Sequence, residues 1–323
     1  MAHLLQTLLL VVDRDDATES NLRIDAFVAM TGLIKNAAPD ATPLLLDLEF
    51  LPAIIERLAQ SLIMSALPNK KKEQREGVQG LLCGLIQVLS VKMTKEELLP
   101  YCDAIMTNFF QVLQTKNATC HEEALSASSA IAIIIGRDFF KYTEAMQPHL
   151  ISGLRNFEAY QVCTEVVELV GDISRAIEGK MKPYCDEIMC ALVEALQNPT
   201  LHHSVKPLIL SCFGDIALAT TSEYEPYLET SLKMVLHAAK TCVPDDDDDR
   251  IHYVIIEAYT GIILGLKDGN RTDLLLPYVN DVFSYLEMIM SDDSEVLSKA
   301  EDLRRDIAIF RDGMGATGRN NYY

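Results

Sequence analysis

The sequence predicts an all-α chain built as a right-handed superhelical solenoid of about seven helix pairs. Three observations predict it. A heptad, PYCDAIM at Pro100–Met106, recurs as PYCDEIM at Pro183–Met189, 83 positions later and changed at one residue. Two further words share a shorter spacing: Gly171-Asp172-Ile173 returns as Gly214-Asp215-Ile216, and Pro183-Tyr184 as Pro226-Tyr227, each 43 residues on. The segments between them carry helical apolar spacing and no strand pattern. An active site is normally built once, so a word written repeatedly points to a structural unit laid down again. A step of about 40–47 residues with that spacing reads as helix pairs of HEAT or armadillo type. Pro277-Tyr278 follows Pro226 by 51 residues, and an insertion containing Asp245 to Asp249 accounts for the excess.

Outer (A) and inner (B) helices are expected at 3–12 and 21–36, 41–64 and 73–92, 95–115 and 121–136, 139–155 and 159–177, 181–197 and 203–220, 223–240 and 250–266, and 273–290 and 294–312. The first opens on MAHLLQTLLLVV. No Lys or Arg precedes that apolar run and no small-x-small site follows it, so it reads as an amphipathic helix rather than a signal peptide. Leu4, Leu5, Leu8, Leu9 and Leu10 arrive with no capping repeat before them, as in a piece cut from a longer superhelix. The fifth pair carries the clearest logic. Pro183 fits a first turn that needs no amide donor. Ile188, Leu192, Val193 and Leu196 then form one stripe, and Asn198-Pro199 stops the helix. Its partner carries Val205, Leu208, Ile209, Cys212, Phe213, Ile216 and Ala217, a face wide enough for burial between neighbours, with Pro207 in the first turn or at a kink. Gly171 and Gly214 are expected to let neighbouring helices approach closely. Interruptions fall at Asp13–Asn21, Leu67–Lys72 and Pro244–Asp249. The array is expected to occupy 1–312, with 313–323 a disordered tail.

Composition narrows function. The chain is 49% hydrophobic over 323 residues, enough for a large core, yet has no apolar run long enough to span a membrane. A formal net charge of −19 argues against nucleic acid and suits a basic partner, or plain solubility. Cys83, Cys102, Cys120, Cys163, Cys185, Cys190, Cys212 and Cys242 include no CxxC pair and sit mostly in apolar segments, so neither a disulfide framework nor zinc is expected. His202 and His203 point about 100° apart on a helix and make a poor metal pair. Lys70, Lys71 and Lys72 form a patch too short to argue nucleic acid, and Asp245 to Asp249 reads as a solvated loop or an electrostatic lure. No GxSxG, P-loop, GxGxxG or HExxH motif occurs, so neither catalysis nor a cofactor is expected.

The run LRNFEAYQVCTEVVELVGDISRAIEGKMKPYCDEIM (Leu154–Met189) strongly resembles the C-terminal half of importin beta, the karyopherin family of nuclear import receptors. HHSVKPLILSCFGDIALA (His202–Ala219), EAYTGIILGLK (Glu257–Lys267) and, more weakly, DRDDATESNLRIDAFVAMTGLIKNA (Asp13–Ala37) share that resemblance. It covers residues 3 to 300 in order. The family's N-terminal half, with its principal Ran-GTP platform, finds no counterpart, nor does its acidic loop. The last family repeats give way to RRDIAIFRDGMGATGRNNYY. The resemblance implies a carrier working between cytoplasm and nucleus through the nuclear pore. Its B helices would wrap the basic segment of importin alpha or a basic cargo, and FG nucleoporins would bind between A helices. Ran-GTP binding would be weak or absent in this fragment.

Onto that picture the residues fit as follows. Glu165, Glu168 and Asp172 share one face of an inner helix at i, i+3, i+7. Glu122, Glu123, Asp215 and Glu257 occupy similar inner places, so these seven are the candidate contacts for a basic segment. Asp172 and Asp215 follow glycines inside apolar stretches, which favours the alternative in which each is an Asp buried between repeats and bonded to backbone. On the outer helices Phe139, Phe140, Tyr142 and Met146, then Tyr184, Ile188 and Met189, then Tyr224, Tyr227 and Leu228 are the nucleoporin candidates. Their alternative is ordinary packing of A helix on A helix. The rival function is a HEAT scaffold holding an enzyme complex together.

Overall fold

The structure, a computed structural model, describes residues 2–14, 21–38, 50–65, 72–115, 118–241, 248–289 and 293–317. Among these, helices and their turns account for the chain and no strand occurs. Two compact units divide it, Met1–Leu169 and Val170–Tyr323.

The first unit holds α1 (Ala2–Val12), α2 (Leu22–Lys35), α3 (Phe50–Ser65), α4 (Lys72–Ser90), α5 (Cys102–Leu113), α6 (Ala118–Ile135), α7 (Phe140–Leu154) and the start of α8 (Tyr160–Ile177). Within it α1 packs on α2, α3 on α4 and α5 on α6. The A helices α3, α5 and α7 touch in succession, as do the B helices α2, α4 and α6. The second unit continues with α9 (Lys182–Gln197), α10 (Val205–Thr220), α11 (Glu225–Thr241), α12 (Asp248–Asp268), α13 (Val279–Met288) and α14 (Ser294–Thr317). Here α9 packs on α10, α11 on α12 and α13 on α14. The B helices α10, α12 and α14 touch in turn, and α11 touches α13. Each unit is thus the two-layer stack of helix pairs that the 43-residue step predicts.

The B helices lie close to where apolar spacing places them; 159–177 is expected and Tyr160–Ile177 found. The A helices are less regular. One turn at Lys95–Leu98, held by a capping box in which Thr94 and Glu97 bond each other's backbone, leads through a 3-10 turn at Leu99–Tyr101 into α5. Similar 3-10 turns precede α7, α9 and α11, at Gly136–Phe139, Glu178–Met181 and Thr221–Tyr224. Before α13 the turn is Thr272–Leu275, and the helix waits until Val279, past Pro277. Pro207 stands in the first turn of α10, where its missing amide leaves no bond unmade. At the other end α14 runs on to Thr317, into the stretch expected to be a tail from 313. The core of Asp245–Asp249, and Lys70 and Lys71, lie outside the described residues; Lys72 opens α4, and Asp248 opens α12.

Four of the described B-to-A turns pivot near one left-handed residue: Gly136 (φ 58°), Glu178 (φ 52°), Thr221 (φ 51°) and Asn270 (φ 54°). Gly and Asn tolerate that region, whereas a β-branched Thr there is strained by about 1–3 kcal/mol. The tightest packing is in the second unit, where α12 carries glycines at four-residue spacing against α10. A Cβ on Gly261 would lie 2.7 Å from Gly214 Cα, and one on Gly265 only 2.3 Å from the Ala217 carbonyl oxygen. The two backbones therefore meet with no side chain between them.

Cys83, Cys102, Cys120, Cys163, Cys185 and Cys212 are buried, and Cys190 is exposed. Burial pushes the thiols of Cys102 and Cys163 up to about 11 and Cys185 up to about 12, so they stay protonated as small apolar groups. No described helix is long and apolar enough to cross a membrane.

Gly265→Val drives a branched side chain into the α10 backbone, and urea denaturation is expected to register a loss of about 3 kcal/mol or outright failure to fold. Gly77→Ala, with nothing within 4 Å of its added methyl, gains about 0.5–1 kcal/mol in the same assay. Thr221→Gly gains about 1 kcal/mol by releasing turn strain.

Candidate functional site

Four of the seven acidic candidates gather in the first unit. Glu122 and Glu123 stand on α6, Glu165 and Glu168 on α8. Two glycines of α4 make room for Glu123: its Oε2 lies 3.1 Å from where a Gly84 Cβ would be, and its Cγ 3.5 Å from that of Gly80. Gln87 donates to Ser126 Oγ at 2.9 Å, and Ser126 hydrogen-bonds Glu165. Burial pushes the Glu165 carboxyl up to about 7, with Glu168, Glu123 and Glu122 adding repulsion and Ser126 opposing. Burial raises Glu122 too, and burial with the Glu122 charge raises Glu123. Among the described residues no Lys, Arg or His pairs with Glu122, Glu123 or Glu165. Glu122, Glu123 and Glu165 thus crowd together with no salt bridge among the described residues.

The second unit treats its acids differently. Arg175 Nη2 lies 2.5 Å from Asp172 Oδ1, and Arg175 Nη1 pairs with Asp215 Oδ1. Gly171 allows this, since a Cβ there would sit 2.6 Å from Asp215 Oδ2. Burial pushes the Asp215 carboxyl up, and Arg175 pulls against that shift. Further along, Lys299 of α14 meets Glu257 Oε1 at 2.7 Å and Tyr253 Oη at 2.6 Å, with its Nζ 3.9 Å from the Tyr253 ring centroid. The alternative reading of Asp172 and Asp215 as inter-repeat acids is therefore right in place but not in partner. Both bond the Arg175 guanidinium. Sequence reading missed Arg175, Lys299 and Tyr253 as members of this set. Arg175 was legible as an i+3 partner of Asp172, whereas Lys299 is found only by looking one repeat ahead.

On the A helices most nucleoporin candidates prove to be core. Phe139, Met146, Ile188 and Tyr224 are fully buried, and Tyr142, Met189 and Leu228 nearly so. Their side chains fill the seams between helices and offer no face to a ligand, which corrects the expectation for these seven. Phe140, Tyr184 and Tyr227 retain partial exposure. The repeated heptad now has a reason. In each copy Cys donates to the carbonyl four residues before it at 3.4 Å, Ile and Met are buried, and Asp accepts from a tyrosine of the next A helix. Tyr142 Oη reaches Asp103 Oδ1 at 2.6 Å, and Tyr227 Oη reaches Asp186 Oδ1. Lys141 joins Asp103 at 2.7 Å, and together with Tyr142 it holds that carboxyl below its usual range.

A family profile described as importin subunit beta-1-like, TPR repeats, matches residues 1–311. The chain belongs to the importin beta family. Importin subunit beta-1 of Arabidopsis thaliana is 37% identical over 320 residues, covering 94% of this chain and 37% of the relative. That of Schizosaccharomyces pombe is 33% identical over 305 residues, 90% of this chain and 35% of the relative. A crystal structure of importin beta in ammonium sulfate superimposes with a TM-score of 0.83 at 29% identity, covering 94% of this chain and 36% of that one. The Kap95:Nup1 complex gives 0.73 at 26% identity over 95% of this chain and 36% of the other. Kap95p bound to RanGDP gives 0.78 at 25%, over 95% and 37%. This chain thus spans little more than a third of the importin beta proteins it matches.

The raised Glu165 carboxyl has a stability consequence. Its folded value of about 7 exceeds the ordinary 4.5, so between those values the folded chain holds a proton that the unfolded chain has lost. Stability therefore falls as pH rises through that window. Glu165→Gln removes the penalty: thermal melts are expected to show a gain of about 2–4 °C at pH 8 and little change at pH 4.

Proposed function

We propose that this chain is the ligand-gripping part of a nuclear import receptor, holding the basic segment of importin alpha, or a basic cargo, on its B helices and FG nucleoporins along its A helices. Membership of the importin beta family across 1–311 carries this reading. The cluster of Glu122, Glu123, Glu165 and Glu168 supports it. Partly buried carboxylates that repel one another, three of them without a salt bridge among the described residues, gain more from an incoming guanidinium or ammonium than solvated ones do. Related Kap95p has been solved with Nup1 and with RanGDP, and the same kinds of partner are proposed here, Ran-GTP engaging weakly. Nucleoporin phenylalanines would settle beside Phe140, Tyr184 and Tyr227. Burying one ring is worth roughly 1.5–3 kcal/mol, weak alone and useful when many repeats engage together. Such a protein carries rather than catalyses, and works in cytoplasm, nucleus and pore.

Fluorescence anisotropy with a labelled importin-alpha basic segment tests this. Affinity is expected to fall as salt rises. The triple substitution of Glu122, Glu123 and Glu165 to Gln should weaken binding by about tenfold or more, one charge-assisted contact or more. Equal affinity for a neutral scrambled peptide would defeat the reading.

A further inference from the structure

We propose that Arg175 and Lys299 are internal occupants of the second unit's B-helix carboxylates, holding Asp172, Asp215 and Glu257 until an arginine- or lysine-rich segment displaces them. This rests on the basic-segment reading and adds a gate to it.

The geometry is that of a bound ligand made from the chain's own residues. Arg175 spans two helices, meeting Asp172 on α8 and Asp215 on α10 with separate nitrogens. A planar guanidinium suits two acceptors in a way an ammonium does not. The glycine at 171 opens the space that lets Asp215 come in. Lys299 is held as a cation is held in a recognition cage, against a tyrosine ring, a hydroxyl and a carboxylate. Exposure decides which partner can leave. The Arg175 side chain is 51% exposed, whereas those of Asp172 and Asp215 are 12% and 20% exposed. Asp172 and Asp215 are therefore fixed beneath, with Arg175 the solvent-side member, while Lys299 and Glu257 are about equally exposed, at 34% and 38%.

Exchange is then chemically even. An arriving arginine replaces one guanidinium with another, so the buried carboxylates never stand uncompensated, and Arg175 moves into water. A neutral or acidic segment has nothing to offer in exchange. The acids also sense one another, since Asp172 and Glu257 both raise Asp215. Loss of either internal cation therefore increases the pull on any external one.

The test is anisotropy binding of an arginine-rich peptide to the whole chain and to four variants: Arg175→Gln, Lys299→Gln, both together, and Lys233→Gln. Lys233 pairs with Glu229 on the A helix α11, so the last variant controls for one lost positive charge. The double variant is expected to bind about tenfold more tightly than the control, one charge-assisted contact, and adding Asp215→Asn with Glu257→Gln should abolish the gain. A double variant that binds no better than the control overturns the gate while leaving the basic-segment reading intact. Binding by neither the native chain nor any variant overturns both. Should Arg175→Gln fail to fold, Lys299→Gln decides alone: about threefold tighter binding that Glu257→Gln removes supports the gate, and no gain over Lys233→Gln refutes it.

Discussion

Each unit depends on one constraint: a helix must present to the helix one repeat later a surface that it can bury. In a stacked array there is no central core, only successive interfaces, so every interface has to work with the same two partners. The α10–α12 contact shows how far this goes. Gly214, Gly261 and Gly265 remove side chains from the seam, and two backbones touch. Glycine in a helix interior costs about 1 kcal/mol, so three of them are retained only because close approach increases dispersion contact along the whole seam. Where the seam opens, side chains fill it: Phe109, Phe139, Phe213, Tyr224 and Tyr259 are all fully buried.

The polar contacts obey the same rule. Gln87 bonds Ser126 39 residues on, Asp103 bonds Tyr142 at 39, Asp186 bonds Tyr227 at 41, Glu257 bonds Lys299 at 42, and Glu225 bonds Arg271 at 46. Each spacing is about one repeat. The exposed ion pair among them, Glu225 with Arg271, contributes little to stability. Apolar seams can slide along one another, whereas a tyrosine that must find one aspartate cannot, so the pairs set register more than they add stability. That is why PYCDAIM is written again as PYCDEIM. The word holds the helix start, the buried pair and the acceptor for the next repeat in about two turns of chain.

The same rule explains what was legible. Repetition fixes helix number and layer, and the B helices, which bury their faces against neighbours on both sides, announce themselves by apolar spacing. The A-helix starts were less legible. Their 3-10 turns and left-handed pivots at Glu178 and Thr221 are imposed by packing on residues whose own preferences lie elsewhere. At the site, the acidic face of α8 was visible as i, i+3, i+7, but its counter-ions were not, because Lys299 is local to Glu257 only across a repeat. The aromatic candidates erred for a related reason. Helical spacing says which residues share a face, and says nothing of whether that face meets a ligand or the next helix; for Phe139, Met146, Ile188 and Tyr224 it meets the next helix.

The contrast between the two sets of carboxylates is the part of the molecule that packing does not explain. A buried acid costs stability unless neutralised, and the second unit neutralises its own. Asp172, Asp215 and Glu257 each have a cation in reach. In the first unit Glu165, Glu123 and Glu122 crowd together instead, and the tension shows as proton affinity, with Glu165 near 7. A structural role alone would be served by an arginine at that seam, as α8 itself demonstrates nearly three turns later with Arg175. The acids are held in register by the repeat, half shielded from water, and supplied with no partner within the described chain. That is the state in which an arriving cation recovers the most free energy, because the carboxylates' desolvation has already been met by folding.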